Sequence, residues 1–100
     1  MYKMFLDDER YPINDDWVIV RSFDEAVSYI KEHGCPNYIS FDHDLGDGLT
    51  GYDFAKWLIE QHLDNNIIPA NFDFYVHSMN PIGVENIRQL MKSFLEKSFS

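Results

Sequence analysis

The acids at Asp7, Asp8, Asp42 and Asp44 are the residues most able to do chemistry. Two carboxylates about 4 Å apart repel by roughly 4 kcal/mol at an effective dielectric near 20. Converging acids therefore need a cation among them or a proton on one of them. Hard oxygen ligands select Mg²⁺, Mn²⁺ or Ca²⁺ over zinc, and Mg²⁺ held by few carboxylates keeps positions open for phosphate oxygens. Asp7, Asp8, Asp42 and Asp44 are thus candidate ligands for Mg²⁺ or Mn²⁺. Arg10 and Arg21 would complete a phosphate clamp, with Ser78 and Asn80 as further polar contacts. His43 and His77 are candidate proton carriers, because imidazole titrates near neutral pH. Asp42 is both a candidate ligand and a candidate catalytic nucleophile.

Elements that alternate between short apolar runs and amphipathic stretches must position these groups. Tyr2 to Leu6, Trp17 to Val20, Tyr38 to Phe41 and Phe72 to Val76 read as strands. Ser22-x-x-Glu25 is a capping box opening a helix with its apolar stripe at Phe23, Ala26, Val27 and Ile30, ended by Gly34. A second helix runs from about Gly51 to Leu63, capped by Thr50 with Asp53 three residues on. A third starts near Gly83 with a stripe at Val84, Ile87, Leu90, Met91, Phe94 and Leu95. The order β-loop-β-α-β-α-β-α predicts one α/β domain over residues 1–100, three-layered and Rossmann-type, with a mostly parallel four-stranded sheet covered by helices. The stretch Asp7 to Asp16 is short for a parallel crossover and carries no helical pattern; it is either a compressed crossover or a functional loop.

Open sheets of this kind bind ligands at the carboxyl ends of their strands. Asp7, Asp8, Glu9 and Arg10 follow the first strand, Arg21 the second, Asp42, His43 and Asp44 the third, and His77, Ser78 and Asn80 the fourth. A solvated charge run is the ordinary reading of DDE alone; its place behind a strand, matched by Asp42 and Asp44 behind another, favours a site. His33 and His62 fall at helix ends, where the dipole favours a cation. Trp17 and Trp57 read as core, and Tyr11 with Pro12 as a weak platform for a base. Gly46, Gly48 and Gly51 do not form the phosphate-cradling loop, which needs a following Lys-Ser/Thr.

The net charge of −9 argues against tracking a long nucleic-acid duplex but not against a small phosphorylated substrate held through a metal. One cysteine, Cys35, excludes an internal disulfide and a cysteine zinc cluster. It has no base beside it and reads as a small, partly buried residue. No apolar run is long enough to span a bilayer and no signal-peptide pattern opens the chain, so a cytoplasmic setting and no membrane partner are expected. Nothing in the pattern indicates an oligomeric state.

An Asp pair after the first strand, Asp42 after the third with Gly51 beyond it, and Ser78 after the fourth resemble a response-regulator receiver domain. There, the resemblance implies, the acids bind Mg²⁺ and the central Asp accepts a phosphoryl group; Asp44 is a second candidate for that acid. The chain departs from receivers in its loop between the first two strands, its lack of a fifth strand, and the absence of a Lys at a strand end. FLDDERYP, WVIVRSFDEA, ISFDHDLGDGLTGYDF and VHSMNPIG together resemble the receiver-derived cyclic-phosphate-processing family. That resemblance covers nearly the whole chain. It implies a truncated receiver core acting enzymatically on cyclic phosphates, in RNA repair or in nucleotide-signalling conflicts that include phages. The expected function is a metal-dependent phosphoesterase acting on a cyclic nucleotide or an RNA 2′,3′-cyclic phosphate end. The rival expectations are a non-catalytic receiver-like binding module and an acidic sequestering protein.

Overall fold

The computed structural model describes residues 1–46 and 48–99. Its elements are β1 (Lys3–Leu6), β2 (Trp17–Val20), α1 (Phe23–His33), β3 (Tyr38–Phe41), α2 (Gly51–Asn65), β4 (Asp73–Val76) and α3 (Pro81–Phe99). The strands form one sheet in the order β2-β1-β3-β4, and every pairing is parallel. The expected elements are all present, with α2 and α3 each extended by a turn or less at one end.

Side chains alternate across the strands. Met4, Leu6, Val20, Ile39, Phe41 and Val76 point to one face and are at most 6% exposed. They meet Ala26 and Ile30 of α1, Phe54, Ala55 and Leu58 of α2, and Ile87 and Met91 of α3 in one core. Each fully buried Phe or Leu there contributes roughly 1.5–3 kcal/mol.

The expectation of helices on both faces is not met. Right-handed crossovers from β2 to β3 and from β3 to β4 run in the same direction across the sheet, so α1 and α2 fall on the same side. α1 packs on α2 and α2 on α3, completing a single helical layer. Only the step from β1 to β2 runs the other way, and there residues 7–16 form a loop instead of a helix. Among the described residues the domain is therefore two-layered. Its second sheet face shows Lys3, Phe5, Trp17, Ile19, Tyr38, Ser40 and Tyr75, none of which belongs to the core cluster. Trp17 stands here, outside the core expected for it.

The caps explain where the helices begin. Ser22 accepts from the Glu25 amide at 3.1 Å, but the Glu25 carboxylate turns to the Arg21 amide. The box foreseen at α1 is therefore closed on one side only. At α2 both halves form, between Thr50 and Asp53. α2 ends on Asn66 in the left-handed region, a residue type that accepts that conformation. His62 is buried, and its Nδ1 accepts from the Ile68 amide at 2.9 Å. It pins the loop after α2, a packing role and not the dipole role expected of it. No helix among the described residues is long and apolar enough to cross a membrane.

Candidate functional site

The strand ladders continue one step past their ends: the Asp7 amide donates to Val20, the Asp42 amide to Leu6, and the His77 amide to Phe41. Parallel pairing in register thus brings Asp7, Asp42 and His77 side by side at the carboxyl edge. One ligand atom from each lies within 4.8 Å of the others.

Two glycines hold the middle strand end in place. A Cβ on Gly51 would stand 1.8 Å from the Asp42 carbonyl oxygen, and one on Gly83 would stand 2.4 Å from the His43 ring. The amino ends of α2 and α3 therefore press directly on residues 42 and 43. The Gly51 amide donates to the His43 carbonyl at 2.8 Å.

Asp7 is fully buried and fully engaged. Its Oδ1 accepts from the Glu9 and Arg10 amides at 2.9 and 2.8 Å. Its Oδ2 accepts from Arg10 Nε at 2.9 Å and pairs with His77 Nε2 at 3.0 Å. Burial pushes its pKa upward, but the two amides, the His77 imidazole and the Arg10 guanidinium together hold the carboxyl below its usual range. Asp42 is the opposite case. Burial and the negative charge of Asp7 raise it above the usual range, while the Ser78 hydroxyl, His77 and Arg10 pull it back only in part. Arg10 Nη2 lies 3.7 Å from Asp42 Oδ1, so one guanidinium faces both acids.

Asp42 lines a shallow pocket of about 460 Å³ together with Asp8, Glu9, Arg10, Asp44, Gly46, Ser78 and Met79. Asp8 and Asp44, both exposed, bring further carboxylates to it. The remaining candidates are placed as follows. His77 is held at both nitrogens, its Nδ1 lying 2.7 Å from Ser40 Oγ, and its ring stacks on Phe5. His43 lies against Gly83 with its Nδ1 3.1 Å from Asp44 Oδ1, away from the Asp7–Asp42–His77 group. Arg21 donates to the carbonyls of Asp7 and Arg10 and covers the Tyr11 ring, bracing the loop and occupying the face of that expected base platform. Asn80 accepts from the Gly83 amide at 3.0 Å and donates to Asp44 at 3.4 Å, which is capping geometry for α3. Ser78 Oγ accepts from the Asn80 amide.

Ser40 is the residue that sequence reasoning missed. A lone hydroxyl inside the apolar run YISF, two residues before Asp42, was the available signal. Its partner became identifiable only with the register that sets β3 beside β4.

Among the described residues the group whose ligand atoms converge is Asp7, Asp42 and His77, two carboxylates and an imidazole that could hold a divalent cation. Asp8 and Asp44 line the adjoining pocket. No curated protein matches the chain. A solved structure described as a trimeric coiled-coil segment of yeast Spc42 fused to another structure shares the fold. It has a TM-score of 0.59 and 17% identity, over 98% of this chain and 78% of that one. A family model described as the cyclic-phosphate processing receiver domain matches residues 2–93. With a receiver-like sheet order and acids gathered at its carboxyl edge, the chain belongs to the cyclic-phosphate processing receiver domain family.

Proposed function

We propose that the domain is a divalent-metal-dependent phosphoesterase that opens cyclic phosphates. The observation that supports this is Asp42, a buried acid held above its usual range by burial and by Asp7, at the wall of an open pocket beside Arg10 and Ser78. Asp8, Asp42 and Asp44 would hold Mg²⁺ or Mn²⁺, with Asp7 behind them, and a bound ion would neutralise charge on a phosphate. Arg10 would bind phosphate oxygens, and Arg21 would act by holding the Arg10 loop in place. Ser78 would donate to the phosphate, with Asn80 fixing the turn that carries it. His77, beside Asp42 and paired with Asp7, would move the proton needed by the leaving oxygen, whereas His43, on the other side of the strand, would act only by holding Asp44. Water would attack phosphorus, or Asp42 would do so itself; the ring P–O bond would then break and the leaving oxygen would take that proton, and on the Asp42 route water would afterwards hydrolyse the aspartyl-phosphate.

The test is hydrolysis of 2′,3′-cyclic nucleotides, RNA ending in a cyclic phosphate, 3′,5′-cyclic nucleotides and cyclic oligonucleotides. Each is run with Mg²⁺, with Mn²⁺ and with chelator, for wild type and Asp42→Asn. The expected result is metal-dependent opening of one substrate class, at least about a hundredfold weaker in the variant. Beryllofluoride captured at Asp42 supports the covalent route. Full engagement of both His77 nitrogens within the protein favours a second reading, a module that captures a cyclic phosphate without turnover. Saturable binding with no hydrolysis by folded protein would establish that reading instead.

A further inference from the structure

The uncovered sheet face has an order that the phosphate site does not account for. Register and alternation set its side chains in rows. Trp17, Lys3, Tyr38 and Asp73 lie in the row farthest from the site, and Ile19, Phe5, Ser40 and Tyr75 in the middle row. Arg21, Asp7, Asp42 and His77 continue the ladders as the row at the site itself. The middle and outer rows are joined to the site by ring contacts. His77 stacks on Phe5 at 4.5 Å between centroids. Phe5 meets Trp17 edge-on at 5.9 Å, and Trp17 meets Tyr38 at 5.7 Å. The Lys3 ammonium sits 4.7 Å from the Trp17 ring centre. Tyr75 flanks the stripe and is 58% exposed.

The composition of this face decides what suits it. A covering helix is met mostly by aliphatic side chains, as on the opposite face, where Met4, Leu6, Val20, Ile39 and Val76 stand with Phe41 and Phe74. Here Ile19 is the single aliphatic residue among the described ones, and the rest is aromatic rings, one hydroxyl, one cation and one edge carboxylate. A four-stranded sheet presenting aromatics is a stacking surface for unpaired bases, and a lysine beside the ring suits the connecting phosphate.

Resting on the phosphoesterase reading, we propose that the substrate is the cyclic phosphate at the end of a single RNA strand, whose upstream bases stack on Trp17 and Tyr38. Spacing separates this from a free cyclic mononucleotide. Successive same-face rows are about 6.6 Å apart, which places Trp17 and Tyr38 about 13 Å from the Asp42 row. A base at that distance belongs to a nucleotide upstream of the one carrying the cyclic phosphate.

The experiment measures binding without turnover. In a Trp57→Phe background Trp17 is the one tryptophan left. Its fluorescence is followed with chelator present as a triadenylate ending in a 2′,3′-cyclic phosphate is added, and separately as 2′,3′-cyclic AMP is added. Quenching by the trinucleotide is expected. Trp17→Leu and, independently, Tyr38→Leu, both titrated by isothermal calorimetry beside wild type because the first removes the fluorescent ring, should weaken trinucleotide binding by roughly five- to a hundredfold and leave the mononucleotide unaffected. A second arm repeats the hydrolysis comparison with both substrates. Equal binding of both ligands, unchanged in the two Leu variants, overturns the platform and leaves the phosphoesterase reading standing. Trinucleotide binding lost in the variants, with no hydrolysis by wild type, upholds the platform and removes the phosphoesterase. Quenching that follows protein concentration, with dimers in sedimentation, overturns it by assigning the face to a second copy of the chain.

Discussion

Removing the carboxylate of Asp7 should cost more stability than removing any other side-chain group at the carboxyl edge, whereas neutralising Asp42 should add stability. Asp7→Ala deletes an acceptor for four donors: the amides of Glu9 and Arg10, Arg10 Nε and His77 Nε2. Breaking a buried charge pair from one side costs about 3–5 kcal/mol. Arg10 is 44% exposed and regains water, so the lower figure, about 3 kcal/mol, applies. For a domain of this size each kcal/mol moves Tm by about 4–8 °C, giving a fall of roughly 12–24 °C. Asp7→Asn should cost less. Its remaining oxygen still serves the two amides, and His77 can present a lone pair to the new amide group if Ser40 accepts from Nδ1. Asp42→Asn removes the like charge beside Asp7 and should raise Tm. Urea and thermal unfolding at pH 7 with chelator, followed by far-UV circular dichroism, measure all three. If Asp7→Ala unfolds within about 1 kcal/mol of wild type, or if Asp42→Asn is the more damaging change, the assignment of Asp7 to holding the edge and of Asp42 to chemistry is wrong.

Gly51→Ala should prevent α2 from docking on residue 42, since its Cβ would stand 1.8 Å from a backbone oxygen. A loss at or beyond the upper end of overpacking costs, about 3 kcal/mol, is expected in urea, and a change under 1 kcal/mol refutes the contact. Stability should respond to pH in two opposed ways. The raised Asp42 costs stability above its folded value, a cost relieved as pH falls through that value. The stability from the depressed Asp7 and Asp53 is present above the ordinary carboxylate range and lost as pH falls through their folded values. Tm against pH should rise slightly and then fall on acidification, and Asp42→Asn should abolish the rise; a monotonic fall in wild type counts against this account. Burial pushes the Cys35 thiol up to about 12, so in native protein at pH 8 it should resist a disulfide reagent that reacts at once after unfolding in urea. Prompt native reaction would place it in solvent.

Much of this architecture was legible in the residues because local signals agreed. Apolar runs of strand length alternated with helical stripes, and caps at Ser22 and Thr50 marked where helices start. The acids behind strands one and three identified the edge that carries the site, since parallel strands bring their carboxyl ends together. What stayed hidden depends on distances across the sheet. Nothing local shows that Arg21 turns inward to the backbone of residues 7 and 10, or that His43 and His77 part company. Consecutive side chains leave a strand on opposite faces, so Asp42 and His43 separate at once, and His77 joins the face that holds Asp42. The missing second helical layer was hidden for a related reason. Alternation of strands and helices does not say on which face a helix falls; the direction of each crossover does, and that requires the strand order.

That order also sets a schedule for synthesis. β1 leaves the ribosome first yet belongs in the interior of the sheet, and its partners begin only at Trp17 and Tyr38. The nascent chain cannot complete the central pairings until Phe41 has been made. Even then Met4, Leu6, Ile39 and Phe41 wait for α2, which ends at Asn65. A chain stalled between those points would offer an apolar sheet to water, the kind of surface that chaperones bind.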